Sequence, residues 1–231
     1  MYSGRNSRVL VLKKVTRYFD GPKGKVTALR EVSLAVLSGE LLVVKGPSGC
    51  GKSTLLLTAA GMLRPNEGDV ELLGNAHPYA LSPDRRTQLR ADLIGFVFQQ
   101  FHLIPYLTVR ENIMAPSLSV PARDPDKRAD ELMGHFGLQA RADHFPSQLS
   151  TGERQRTALA RALFNKPKII MADEPTGNLD DENAEIVLQH LSRFASTGGS
   201  VLLVTHNAKA ADYSTRTLNM RDGELLQNAR D

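Results

Sequence analysis

Gly46-Pro47-Ser48-Gly49-Cys50-Gly51-Lys52-Ser53 fits the pattern G-x-x-x-x-G-K-[ST] at every position. Glycines at this spacing let successive backbone N–H groups turn inward around the same phosphate oxygens. An apolar run, Leu41 to Val44, precedes the loop, and an apolar helical stretch, Ser53 to Leu63, is expected to follow it. A helix starting there points the positive end of its dipole at the same charge. In such a cradle Lys52 reaches the β- and γ-phosphates, the Ser53 hydroxyl ligates Mg²⁺, and Thr54 contacts the α-phosphate. Cys50 reads as a small loop filler and not as a reactive thiol. The expected ligand is Mg·ATP.

A second group with chemistry closes the run Ile169-Ile170-Met171-Ala172-Asp173-Glu174. In open α/β sheets ligands sit beyond the carboxyl ends of strands. Asp173 is therefore expected beside the phosphate loop, holding Mg²⁺ through water, with Glu174 polarising an attacking water. Taken alone, with Pro175, Thr176 and Gly177 behind it, the segment would read equally as a solvated acidic turn. The phosphate loop favours the functional reading.

The elements that position these groups follow from pattern. Leu41 to Val44, Ile169 to Met171 and Val201 to Val204 are short, continuously apolar runs. Such runs suit strands covered on both faces of a parallel sheet. Helical segments separate them, which predicts an α/β fold with a P-loop NTPase core. Val9 to Leu12 and Ser33 to Val36 read as strands of an N-terminal antiparallel β subdomain, with the turn residues Asp20-Gly21-Pro22 between them. In the middle, Asp124 is an N-cap with Pro125 at the first helical position. Ala129, Leu132, Met133 and Phe136 follow at helical spacing, and Gly137 stops the helix. A second helix runs from Ser150 through Leu163. Residues from about 100 to 164 are thus expected to form an α-helical subdomain inserted in a single domain spanning 1–231.

Composition bounds the function. The 231 residues are 41% hydrophobic and 23% charged, enough for a sizeable core and a soluble surface. The net charge of +4 is mild and spread along the chain, so no nucleic-acid partner is expected. Cys50 is the single cysteine, which excludes an intramolecular disulfide and fits a reducing compartment. Met1 to Arg8 is polar and does not read as a signal peptide. No apolar run approaches the ~20 residues of a membrane-crossing helix, so membrane association is expected only through a partner. The histidines other than His206 show no metal-ligand spacing.

Several further motifs resemble those of the ATP-binding subunits of ABC transporters, over nearly the whole chain and in the family's order. Leu149-Ser150-Thr151-Gly152-Glu153 resembles the ABC signature and precedes the acidic strand. Gly177-Asn178-Leu179-Asp180 resembles the D-loop, His206 the switch histidine, Gln99 the Q-loop glutamine, and Tyr18 the aromatic residue that stacks on adenine. A phosphate loop alone admits kinases, GTPases and motors; the signature narrows the resemblance to ABC proteins. Ser150 and Glu153 also form an S-x-x-E capping box, and the helix N-terminus it opens suits an anion. The family has glycine where this chain has Thr151, which is tolerated at negative φ and strained at positive φ.

The resemblance implies two copies facing head to tail, each ATP lying between the phosphate loop of one and Ser150 and Gly152 of the other, with Asp180 also at the nucleotide. Glu174 then activates water, His206 contacts the γ-phosphate, and Gln99 senses the nucleotide, contributes to the Mg²⁺ site and faces an integral membrane permease. The resemblance also implies a cytoplasmic protein, peripheral on the inner membrane. Phe96-Val97-Phe98-Gln99-Gln100-Phe101-His102-Leu103-Ile104-Pro105 and Glu111-Asn112 look most like the lipoprotein-releasing, macrolide-exporter and cell-division branch. Two other readings stay open: a soluble ABC ATPase of DNA repair or translation, and a nucleotide-binding regulatory subunit without useful turnover.

Overall fold

The computed structural model describes residues 7–22, 24–74 and 76–226. Met1 to Asn6, within the polar N-terminal stretch, lie outside the described residues. The chain begins with two strands, β1 (Arg8–Gly21) and β2 (Gly24–Leu37), that form a long antiparallel ribbon. The short β3 (Leu41–Lys45) leads into the glycine-rich loop and helix α1 (Lys52–Ala59). Strand β4 (Glu67–Leu72) returns to pair with β1, giving a sheet of order β2-β1-β4.

Helix α2 (Pro83–Leu93) and strand β5 (Ile94–Val97) follow. Between β5 and the next strand lie α3 (Val109–Met114), α4 (Pro125–Phe136) and α5 (Thr151–Leu163). The chain then alternates again through β6 (Ile169–Asp173), α6 (Asp181–Ser196), β7 (Ser200–Thr205), β8 (Arg216–Arg221) and β9 (Glu224–Leu226). Among the described residues the second sheet has the order β5-β6-β7-β3-β8-β9, parallel except for the last pair.

The apolar runs alternate between two cores. Leu41, Val43, Ile170, Ala172, Val201 and Leu203 face a cluster shared with α3, α4, α5 and α6. Leu42, Val44, Ile169, Met171, Leu202 and Val204 face the opposite cluster, built with α1 and the antiparallel sheet. Successive strand residues point to opposite faces, so a strand covered on both sides must be apolar throughout. The helices between β5 and β6 therefore share one hydrophobic cluster with the sheet.

Two sequence expectations need correction. The first two strands run to 14 residues each, well beyond Val9 to Leu12 and Ser33 to Val36. Their apolar alternation is broken at Lys14 and Glu31, where φ is 48° and 44° and the register shifts, but pairing resumes beyond these bulges. Helix α1 ends at Ala59 and not at Leu63, because Gly61 turns into the left-handed region at φ 70° and Met62 N–H returns to the Leu57 carbonyl. Helices α4 and α5 follow the sequence reading closely. The Asp124 side chain caps α4, Pro125 opens it, and Gly137 closes it at φ 64°.

Candidate nucleotide site

Parallel pairing aligns the carboxyl ends of three strands. Lys45 of β3 lies opposite Thr205 of β7, and Asp173 of β6 lies opposite Val204. The glycine-rich loop after β3 and the residues just beyond β6 and β7, Glu174 and His206, therefore converge. Ala28, Ser48, Gly49, Gly51, Lys52, Ser53, Thr54, Gln99, Glu174 and His206 line a cavity of about 300 Å³ there. That volume is at the low end for a small-molecule site.

The loop needs its glycines. Gly51 sits at φ 107°, and a Cβ there would collide with the Ala28 carbonyl oxygen. A Cβ on Gly46 would strike the Met220 carbonyl oxygen and the Cys50 sulfur. Cys50 is buried, and its carbonyl accepts from Gly223 N–H at 3.0 Å. It is a packing residue under the loop, joined with Pro47 through a backbone hydrogen bond of 3.3 Å. Lys52 is the first residue of α1, and its ammonium donates to the carbonyls of Gly46 at 2.7 Å and Pro47 at 2.9 Å. It also faces Glu174 Oε1 at 3.6 Å in a nearly solvent-free ion pair.

The carboxylates divide their partners. Ser53 Oγ donates to Asp173 Oδ1 at 3.1 Å. Burial pushes the Asp173 carboxyl above its ordinary value; the Ser53 hydrogen bond opposes this, and the Glu174 charge adds to it. Glu174 has a left-handed backbone at φ 45°, uncommon for a residue with a side chain. Burial alone would push its carboxyl up, but hydrogen bonds from His206 and Thr205 outweigh burial and hold it below its ordinary value. His206 Nδ1 lies 3.0 Å from Glu174 Oε1, while much of the imidazole remains exposed.

Gln99 lines the cavity, and its carbonyl accepts from Asn178 Nδ2 at 3.1 Å. Tyr18 is half-buried, beneath the Lys25 ammonium at 4.3 Å, and does not line the cavity. It pairs with Thr27, whose neighbour Ala28 does. Within one chain, Ser150, Gly152 and Asp180 are also outside the cavity. Ser150 Oγ accepts from Glu153 N–H at 3.2 Å, and Glu153 Oε2 accepts from Ser150 N–H at 2.8 Å, completing the capping box of α5. Thr151 is the first residue of that helix and is not among the residues of positive φ, so its β-branch is accommodated.

The structure adds residues that sequence reasoning passed over. Asn183 donates to both Asp180 carboxylate oxygens at 2.9 Å and accepts from Arg156 at 3.2 Å, joining α6 to α5. Gly152 packs so closely on Asn183 that a Cβ would collide with it. Gln155, fully buried, donates to the Pro175 carbonyl at 2.7 Å. No sequence pattern singles these out, because each contact joins separate elements.

A phosphate loop at a strand end, flanked by an acidic strand end and a histidine from the strand between them, defines a P-loop nucleoside triphosphatase. A family profile described as ABC transporter matches residues 29–177. The lipoprotein-releasing system ATP-binding protein LolD 1 of Rhodospirillum rubrum is 43% identical over 220 residues, covering 94% of this chain and 97% of that protein. The macrolide export ATP-binding/permease protein MacB of Wolinella succinogenes is 39% identical over 219 residues, covering 94% of this chain and 34% of that longer protein. Among solved structures, a dimeric ATP-binding cassette in a post-hydrolysis state bound to ADP and Pi superposes with a TM-score of 0.88 at 38% identity, covering 94% of this chain and 97% of that one. The chain belongs to the ABC transporter family and is one of its ATP-binding, ATP-hydrolysing cassettes. None of its described helices is long and apolar enough to cross a membrane.

The capping box generates a test of stability. Arg141, at 2.8 Å, and the Ser150 N–H hold the Glu153 carboxyl at about 2, against an ordinary 4.5. A carboxyl depressed in the folded state stabilises it fully above the unfolded value, and this contribution is lost as pH falls toward the folded value. Urea unfolding midpoints are expected to drop more for the native chain than for Glu153→Gln between about pH 5 and about pH 3. Equal drops would contradict the ion pair and cap.

Proposed function

We propose that this chain is the ATP-hydrolysing subunit of an ABC transporter, pairing head to tail with a second copy around two ATP to drive a separate integral membrane permease. The finer assignment is lipoprotein release or export-type mechanotransmission, from the cytoplasmic face of the inner membrane. Resemblance to proteins named for lipoprotein release and macrolide export supports that branch. The observation that carries the enzymatic reading is the Glu174 carboxylate, held in the cavity beside the Lys52 ammonium at the mouth of the phosphate loop.

In this reading the backbone N–H groups from Gly46 to Ser53 cradle the phosphates, with Pro47, Ser48, Gly49 and Cys50 shaping the turn and Thr54 at the α-phosphate. Lys52, already desolvated and held by loop carbonyls, exchanges its Glu174 partner for phosphate oxygens. That exchange frees Glu174 Oε1 to accept a proton from water. His206, next to the same oxygen, donates toward the γ-phosphate. Ser53 and Asp173, hydroxyl and carboxylate already in contact, fit a hard cation and would hold Mg²⁺ with help from Gln99. When bound, Mg²⁺ neutralises charge on the β- and γ-phosphates. Tyr18 supplies the face for adenine. Ser150, Gly152 and Asp180 serve the ATP bound by the other copy.

Phosphate release under saturating Mg·ATP tests this directly. Glu174→Gln keeps the shape and removes the base, so turnover is expected to fall by about a hundredfold or more. Lys52→Ala is expected to abolish nucleotide binding or turnover. Native turnover from Glu174→Gln would remove Glu174 as base, and undiminished ATPase from Lys52→Ala would remove the phosphate loop from the site.

A further inference from the structure

Thr205 ends β7, buried to 1% exposure. Its Oγ1 lies 2.7 Å from Glu174 Oε2, and the His206 N–H donates to that same oxygen at 3.1 Å. Asn207 N–H, which can only donate, points at Thr205 Oγ1 at 2.9 Å. The hydroxyl therefore accepts from Asn207, and its single proton is directed at Glu174. The other carboxylate oxygen, Oε1, faces Lys52 at 3.6 Å and His206 Nδ1 at 3.0 Å. Glu174 thus has a protein-side oxygen and a site-side oxygen.

The backbone alone does not fix this arrangement. Glu174 N–H is tied to the Val204 carbonyl at 2.9 Å, and φ at Glu174 is 45°. Three side-chain torsions still separate that backbone from the carboxylate, and the last is broad. Two converging donors on Oε2 fix the plane of the carboxylate, and the shorter of the two bonds comes from the buried hydroxyl. We propose that Thr205 is a positioning residue for hydrolysis: its hydroxyl anchors Oε2 so that Oε1 is presented to the attacking water. The assignment rests on Glu174 being the base. Water gives its proton to Oε1 as its oxygen bonds to the γ-phosphorus, and the bond to the ADP oxygen breaks.

Thr205→Val keeps the side-chain shape and removes the donor. Thr205→Ser keeps the donor and removes the methyl, and Thr205→Ala removes both with no steric demand. Phosphate release against ATP concentration is measured for all of these beside Glu174→Gln, with a thermal melt for each. Thr205→Val and Thr205→Ala are expected to lose about tenfold or more in kcat, the scale of one buried charge-assisted hydrogen bond. KM for ATP is expected to stay within about twofold, since the Thr205 hydroxyl contacts the Glu174 carboxylate and the Asn207 N–H, neither of them assigned to phosphate binding, and Thr205→Ser to stay within about threefold of the native kcat. If the valine variant fails to fold, alanine against serine carries the comparison. Native kcat in a folded valine or alanine variant overturns the assignment, as does a loss in serine equal to that in alanine. Should Glu174→Gln retain native turnover, the base and its anchor fall together. Should Glu174→Gln be inactive while Thr205→Val turns over normally, only the Thr205 assignment falls.

Discussion

The constraint on which the site depends is the register of three buried parallel strands. Lys45 opposite Thr205, and Val204 opposite Asp173, put the phosphate loop, His206 and Glu174 together at the carboxyl ends of these strands. A slip of one residue would exchange the inner and outer faces of a strand. Here both faces are apolar, so burial alone penalises the slip weakly. The polar ends fix the register instead: the Ser53–Asp173, Thr205–Glu174 and Lys52–Glu174 contacts all require it. The site and the fold are stabilised by the same few bonds.

The electrostatics follow from that placement. Two adjacent carboxylates and one ammonium sit close together at a largely buried strand end, where an unpaired charge is costly. Asp173 is pushed up by burial, whereas Glu174 is held down by donors from β7 and the residue after it. In the proposed function these two neighbours take different tasks, Asp173 as a ligand held near a hydroxyl and Glu174 as an ionised base. The capping box lies elsewhere. Ser150 is exposed at the start of α5, outside the cavity of its own chain. Gln155 and Asn183 tie that helix to the loop after Glu174 and to Asp180. The loop from Gly46 to Ser53 is, on this account, half of a site.

Much of this was legible in the sequence because it is written in local pattern. The phosphate loop, the apolar runs of β3, β6 and β7, and the caps at Asp124 and Ser150 each depend on residues within a few positions of one another. Less local features were hidden. The length of β1 and β2 was obscured by Lys14 and Glu31, where bulges interrupt alternation. Helix α2 has no buried residue and so shows no apolar periodicity to read. Ala28 enters the cavity only because β2 passes over the loop. Thr205 lies just past the apolar run Val201 to Val204 and carries no local signal; its contact with Glu174 joins residues 31 apart in sequence.

Pairing of two half-sites is the central claim, and light scattering tests it most directly. The mass of the Glu174→Gln chain is measured with and without Mg·ATP. The account predicts a shift from one copy, 25.3 kDa, to twice that mass with ATP, reversed when the nucleotide is removed. A chain that binds Mg·ATP with full occupancy and stays at the mass of one copy would contradict it.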